Sequence, residues 1–377
     1  MVATDSSDLL EAWIKQNHPD WKYSEPSPGI FKILANGADV PALSIKAPGI
    51  RSIDKGDRKA QPEAVPGDFS NSLNTINAAH AAFPEINGTF SKLSVKEKPF
   101  NVLDIDLRGR IDLTGPFDEP YTDHATYMAT IAAGGGNQSL FTKGGGWKST
   151  ITTADYDRLL PDLDLQSKGI TVQNHSYGVG IETYYGIESA EYDKQVYENQ
   201  SLVHIFSSGN KGNQSNPDGL YKGLAGFANI TGQFKASKNT ISVGSAEQDG
   251  TPAVLSSAGP VDDGRIKPEL IAIGDAGSSE AAAVVSGIAL LVQDAWKKKF
   301  GDIPDAAMVK AILINSANDT GTKGPDHKSG YGIANALGAL NIINNGTHGS
   351  STIFQNEEKK IFITVPTEIH RLTVTLV

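Results

Sequence analysis

GSSEAAAVVSGIALLVQDAWKKKF, residues 277–300, is the stretch that decides the architecture. Ala281, Val284, Val285, Ile288, Leu291, Val292 and Trp296 recur at three- and four-residue steps, predicting a helix from about Glu280 to Phe300 with one broad apolar face. Lys297, Lys298 and Lys299 stand at its C-terminal end, where they complement the helix dipole. Gly277, Ser278 and Ser279 come just before it. A Gly-Ser loop feeding a buried helix is a favourable place to hold a reactive hydroxyl against backbone N–H donors.

Outward from that helix, short apolar runs alternate with helical patterns. The runs are KLSV from Lys92, STITTA from Ser149, GITVQNHS from Gly169, LVHIFSSGN from Leu202, NTISVGSA from Asn239 and KPELIAI from Lys267. Between them lie LNTINAAHAAF, HATYMATIAA and ESAEYDKQVYENQ, a rhythm that predicts a mostly parallel α/β sheet. The first 68 residues have a different texture, with a helical LLEAWIKQNH, a strand-like FKILAN and a polar stretch ending IDKGDRKAQPEAVPGDF. After Gly346 the chain turns polar and β-prone, with IFITVP and RLTVTLV as candidate strands and an end that stops inside a strand-like alternation. The expected division is therefore an N-terminal α+β piece over 1–68, a large domain over 69–345 and the start of a C-terminal β domain over 346–377.

Composition narrows the chemistry. With 33 Lys and Arg against 43 Asp and Glu in 377 residues, the net charge of -10 argues against a general nucleic-acid binder. No apolar run reaches the ~20 residues of a membrane span, and MVATDSSDLLEAW lacks the basic and apolar segments of a secretory signal. The absence of Cys excludes disulfides, thiolate metal sites and a Cys nucleophile together. Covalent catalysis would have to use Ser, Thr, Lys or a carboxylate.

A hydrolytic serine needs a base, an orienting carboxylate and an oxyanion hole. Of the 8 His, His18, His348 and His370 lie in peripheral end regions, His175 follows a strand, and His204 sits inside an apolar one. His124 stands out. It opens the small-residue helix HATYMATIAAGGG directly after Asp123, which leaves its ring room to face a cleft.

Seven segments, in order, resemble the subtilisin-like serine proteases, or subtilases. They are NTINAAHAAF from Asn74, LSVKEKPFNVLDIDLRGR from Leu93, HATYMATIAAG from His124, VQNHSYG from Val172, FSSGNKG from Phe206, SSAGPVDDGRIKPELIAIG from Ser256 and GSSEAAAVVSGIALL from Gly277. The resemblance spans roughly residues 70–345 and implies a three-layer α/β sandwich with a mostly parallel sheet. It implies Ser279 as nucleophile, His124 as general base and Asn210 as the side-chain donor to the oxyanion, assisted by the Ser279 N–H. Ser176, Tyr177 and Gly178 would form a cleft edge that pairs with an extended polypeptide substrate. In the ungapped match Glu97 takes the place of the family's orienting Asp, with Asp104 and Asp106 as alternatives further along. The implied residence is extracellular or at the cell surface, and the segment before residue 69 resembles a propeptide.

Departures from the pattern leave a second reading open, a weak or inactive pseudoprotease that binds peptides or serves in a surface complex. Ala125 and Tyr127 replace the Gly and second His of the histidine motif. Ser278, Glu280 and Ala283 replace Thr, Met and Pro around the nucleophile, and only Asp275 and Ala276 precede Gly277 where the family has a longer loop. The chemistry requires no cofactor. A structural Ca²⁺ is compatible with the family, yet Asp162, Asp164, Asp262 and Asp263 form no regular ligand loop and no metal ligand is assigned. The run KGGGWKST from Lys143 lacks phosphate-loop spacing, because Trp147 interrupts it, and reads as a glycine loop near the cleft.

Overall fold

The computed structural model describes every residue except Asp57, 63–69, Ala276, Pro366 and 369–371. The expected boundary at 68/69 and His370 lie outside the described residues. The N-terminal piece runs β1 (Val2–Thr4), α1 (Ser7–Asn17), β2 (Lys22–Ser27), β3 (Ile30–Leu34), α2 (Val40–Lys46) and β4 (Ile50–Ile53), followed by the short β5 (Gln61–Pro62). Next come α3 (Ile76–Ala82), β6 (Lys92–Lys96), α4 (Asp123–Ala133), β7 (Thr150–Ala154), β8 (Val172–His175), β9 (Tyr177–Gly178), α5 (Ile187–Glu198) and β10 (Val203–Ser207). β11 (Ile241–Ala246), β12 (Leu270–Ile273), α6 (Ser278–Phe300), α7 (Ala306–Ser316) and α8 (Ala336–Asn345) complete the large domain.

All six apolar runs read from the sequence become strands of one parallel sheet in the order β12-β11-β10-β8-β6-β7. Strand side chains alternate between faces, so each strand supplies two layers. Leu93, Val95, Ile151, Val172, Val203, Ile205, Ile241 and Val243 share one aliphatic core with α4 and α6. His175, His204 and Phe206 turn the other way, where their rings pack with Tyr177, Tyr192 of α5 and Phe234. Helices thus cover both faces, as a parallel sheet requires.

The long helix differs from its expected shape in two respects. It begins at Ser278, two residues earlier than its apolar period suggests, because Gly277 and Ser278 already meet the sheet end. It is also buried on every side from Ser278 to Ala295, since α4 and α8 cover the side away from the sheet. The glycine run after Lys143 serves this packing. A Cβ on Gly145 would lie 2.5 Å from the Gly287 carbonyl of α6, and Gly146 N–H bonds the Ala132 carbonyl at 3.0 Å. The run therefore fits between the C-terminal end of α4 and the middle of α6, and it is no part of a cleft loop. A glycine is needed there for close backbone approach.

The N-terminal piece forms a four-stranded antiparallel sheet, β2-β3-β1-β4, in the β-α-β-β-α-β order of a split βαβ unit. It has its own core of Val2, Leu10, Ile14, Trp21, Phe31 and Leu43, and it meets the large domain where Ala3 and Ile30 pack with Leu160 and Ile187. After Asn345 the described residues contain no helix or strand, and Phe354, Ile361 and Phe362 are exposed. Asn315 of α7 donates to the Thr373 carbonyl at 3.3 Å and to Thr375 Oγ1 at 3.1 Å. Among the described residues no helix is long and apolar enough to cross a membrane.

Candidate active site

Three adjacent parallel strands end at one edge of the sheet, and their carboxyl ends deliver the site, as the topology of open α/β sheets predicts. Glu97 follows β6 directly. Its N–H donates to the Ala154 carbonyl at 2.8 Å, extending the pairing with β7 by one residue. Thr122 N–H donates to the Pro99 carbonyl at 2.9 Å, and Asn101 N–H donates to Thr126 Oγ1 at 2.9 Å. These two bonds clamp the segment after β6 to the first turn of α4. Thr122 also caps that helix, its hydroxyl accepting from Ala125 N–H.

That clamp brings His124, the second residue of α4, against Glu97. His124 Nδ1 lies 3.2 Å from Glu97 Oε2, with the two side chains only 8% and 1% exposed. The other candidate acids lie elsewhere. Asp106 Oδ1 accepts the backbone N–H groups of Asn137 and Gln138, and Asp104 Oδ1 accepts that of Asp106, so both brace loops.

β8 delivers Ser176 and β10 delivers Asn210 on either side of the start of α6. Ser279 Oγ donates to the Ser176 carbonyl at 3.0 Å, and Ser176 Oγ returns a bond to the Ser279 carbonyl at 2.9 Å. Ser176 Oγ is itself held by Asn174 Nδ2 at 2.9 Å, and Asn174 Oδ1 accepts from Ser286 about two turns further along α6. Ser278 holds the amide. Its N–H and its Oγ both donate to Asn210 Oδ1 at 3.0 Å, which turns the –NH₂ half of that side chain the other way. Gly209 N–H donates to the same Ser278 hydroxyl at 3.0 Å. Gly209 has φ +116° and leaves no room for a Cβ beside Thr231, so only glycine suits this turn. The Ser279 N–H belongs to the first turn of α6, where N–H groups have no intrahelical acceptor.

Tyr177 and Gly178, next to Ser176, form the edge strand β9, and the partner on that edge is the chain's own β5, antiparallel, with Gln61 opposite Gly178 and Pro62 opposite Tyr177. Tyr177 is fully buried, and its hydroxyl meets His175 Nδ1 at 3.0 Å. Burial pushes that phenol well above its usual range. His175 Nε2 in turn meets His204 Nδ1 at 2.9 Å, and His204 Nε2 meets Gln195 at 2.9 Å. Burial holds both imidazoles below their usual range, His204 at about 3, with the neighbouring Lys96 adding to the effect. Both rings are therefore neutral supports beneath the edge strand.

A family model of the subtilases, peptidase class S8, matches residues 112–332, more than half of the chain and inclusive of His124, Asn210 and Ser279. The chain belongs to the subtilase family. Glu97 lies before the matched stretch. Solved structures agree on the fold. A mutant of the epidermin leader peptide processing serine protease from Staphylococcus aureus is 15% identical, with a TM-score of 0.65 over 90% of this chain and 98% of that one. The CspB protease of Clostridium perfringens is 16% identical, with a TM-score of 0.60 over 74% of this chain and 100% of that one. The prenylagaramide maturation protease PagA is 20% identical, with a TM-score of 0.55 over 74% and 99%. A comparison with curated protein sequences finds no match.

Sequence reasoning located the subtilase segments and missed what holds them. Ser278 was noted only as a replacement for Thr, although its place beside the nucleophile was the available signal for its hold on Asn210. The partnership of Glu182, Glu188 and Arg58 left no trace at all, because it joins residues more than a hundred positions apart.

Proposed function

We propose that this subtilase hydrolyses peptide bonds by acyl transfer with a Glu97–His124–Ser279 triad. Ser279 attacks the scissile carbonyl, His124 takes its proton and returns it to the leaving amine, and Glu97 orients the imidazole and stabilises its charged form. Asn210 and the Ser279 N–H hold the oxyanion. The observation that carries this reading is the buried pair of His124 Nδ1 and Glu97 Oε2 at 3.2 Å, formed at the strand ends that also hold Ser279. In the resting arrangement the Ser279 hydroxyl donates to the Ser176 carbonyl, so attack begins with its rotation from that acceptor to His124. Ser176, Tyr177 and Gly178 receive the substrate backbone as an added strand. The residues before 69 act as a propeptide-like segment, a reading supported by β5 lying on that same edge. Residence outside the cell is supported by family membership alone.

A second reading, a peptide-binding pseudoprotease, draws on that same Ser279–Ser176 bond and on Glu280, fully buried one residue after the serine. A fluorophosphonate probe separates the two. We expect labelling of the wild-type chain and none of Ser279→Ala; a folded wild type that stays unlabelled would sink the catalytic reading.

A further inference from the structure

The segment leading to β5 is bound as an extended ligand would be. Arg58 Nη1 lies 2.5 Å from Glu182 Oε2, and its Nη2 bonds Glu188 Oε1. The two carboxylates are only 7% and 3% exposed, and Glu188 Oε2 has no hydrogen-bond partner. Burial pushes the Glu188 carboxyl up to about 8, against the pull of Arg58 and with Glu182 and Asp54 pushing the same way as burial. Without a cation in place, two acids would face each other out of water, an arrangement that strongly favours any guanidinium able to reach it. Two residues further on, Ala60 is 4% exposed within the cluster of Tyr156, Tyr177, Tyr192, Phe206 and Phe234. Tyr177 is anchored in that cluster by its bond to His175.

We propose that these contacts define a recognition element for substrates: an extended peptide with Arg at one position and a small residue two positions later. Glu182 and Glu188 read the guanidinium, and the aromatic cluster reads the small side chain. The proposal rests on the reading of Ser176–Gly178 as the substrate edge, and it deepens that reading by naming the substrate class. The chain's own Arg58 and Ala60 show the pattern in place. β5 fixes the direction and register, because Gln61 and Pro62 pair with Gly178 and Tyr177.

The test is binding, so it does not depend on the chemistry of Ser279. Full-length protein carrying Arg58→Ala and Ser279→Ala is titrated with fluorescein-labelled KGDRKAQP, the sequence of residues 55–62. Two altered peptides accompany it, one with Gln for the Arg and one with Phe for the Ala. The parent peptide should bind at least about tenfold tighter than either, the gap expected of a charge-assisted pair or a filled pocket. Adding Glu182→Gln and Glu188→Gln should erase the Arg-over-Gln preference and keep the Ala-over-Phe one. If the double variant melts early, Glu182→Gln alone should still shrink the Arg preference. Equal binding of the Arg and Gln peptides, or a preference that survives the Gln variants, would overturn the proposal. So would a lack of binding by every peptide, which would leave the acid pair as an anchor for the chain's own segment only. Binding of this pattern in a chain whose Ser279 takes no fluorophosphonate would overturn catalysis and leave recognition standing.

Discussion

At the scale of single residues, the proposed triad turns on a methylene. Glu97 reaches about 1 Å further than an aspartate, and an error of that size near a reacting group can cost about 100-fold in rate. Glu97 is held back against β7 by its bond to Ala154, while the clamp at Thr122 and Thr126 sets His124 in front of it. Glu97→Gln should lower kcat by on the order of 10²–10⁴, since a neutral amide supports imidazolium poorly. Glu97→Asp should lower it by roughly 10–100-fold, because the spacing is built for the longer side chain. Asp106→Asn should melt earlier yet keep kcat within a few-fold, since Asp106 braces Asn137 and Gln138. Steady-state kinetics with a peptide substrate check all three, and retained activity in Glu97→Gln would remove it from the triad. Asn210→Ala should cost about 10²–10³ in kcat. Ser278→Ala should move kcat in the same direction with little change in KM, because it lets the Asn210 amide turn.

At the scale of elements, the sequence was most readable where one local rule decides the outcome. KLSV, GITVQN and LVHIFS are short apolar runs bounded by breakers, and each became a strand in the expected parallel sheet. The nearness of Glu97 to His124 followed from the same kind of rule, since the ungapped match placed Glu97 directly after a strand, where the structure has it beside that imidazole. The start of α6 was less legible, because Ser278 and Ser279 carry no apolar period and are helical through their bonds to Asn210 and Ser176. The glycine run was misplaced because nothing local says that its neighbour will be Gly287. Gly145→Ala tests that account, since the added methyl would press on the Gly287 carbonyl. We expect a loss of about 1–3 kcal/mol in urea unfolding, whereas Gly180→Ala, in open space, should lose far less. Equal losses would show that the helices tolerate wider spacing. Arg58 and its two glutamates mark the outer limit of such reading, since pairing across that distance follows from the finished fold.

At the scale of the whole molecule, the buried imidazoles set an acid limit on stability. His175 and His204 are neutral in the folded protein and take up protons near pH 6.5 once unfolded. Below that pH the unfolded chain binds more protons than the native one, so stability falls as pH drops from about 6.5 toward 3. His204 contributes a slope of about 1.4 kcal/mol per pH unit within that window, and His175 acts in the same direction. Urea midpoints between pH 7 and 4 should show this decline, and His204→Asn should flatten it. A slope unaffected by that replacement would assign the acid sensitivity to other groups.

The burial of α6 on every side has a consequence in time as well as in space. A ribosome that has released the chain only as far as β12 has produced all six strands of the sheet, but not the helix that fills their aliphatic face. Closure waits for residues 278–300, and for α8 behind them. The split βαβ unit at the front, by contrast, has all its partners within its first 53 residues. Nascent chains therefore emerge as a finished small unit followed by a long, open sheet. In that interval, exposed apolar strand faces make the chain dependent on whatever keeps it apart from its neighbours.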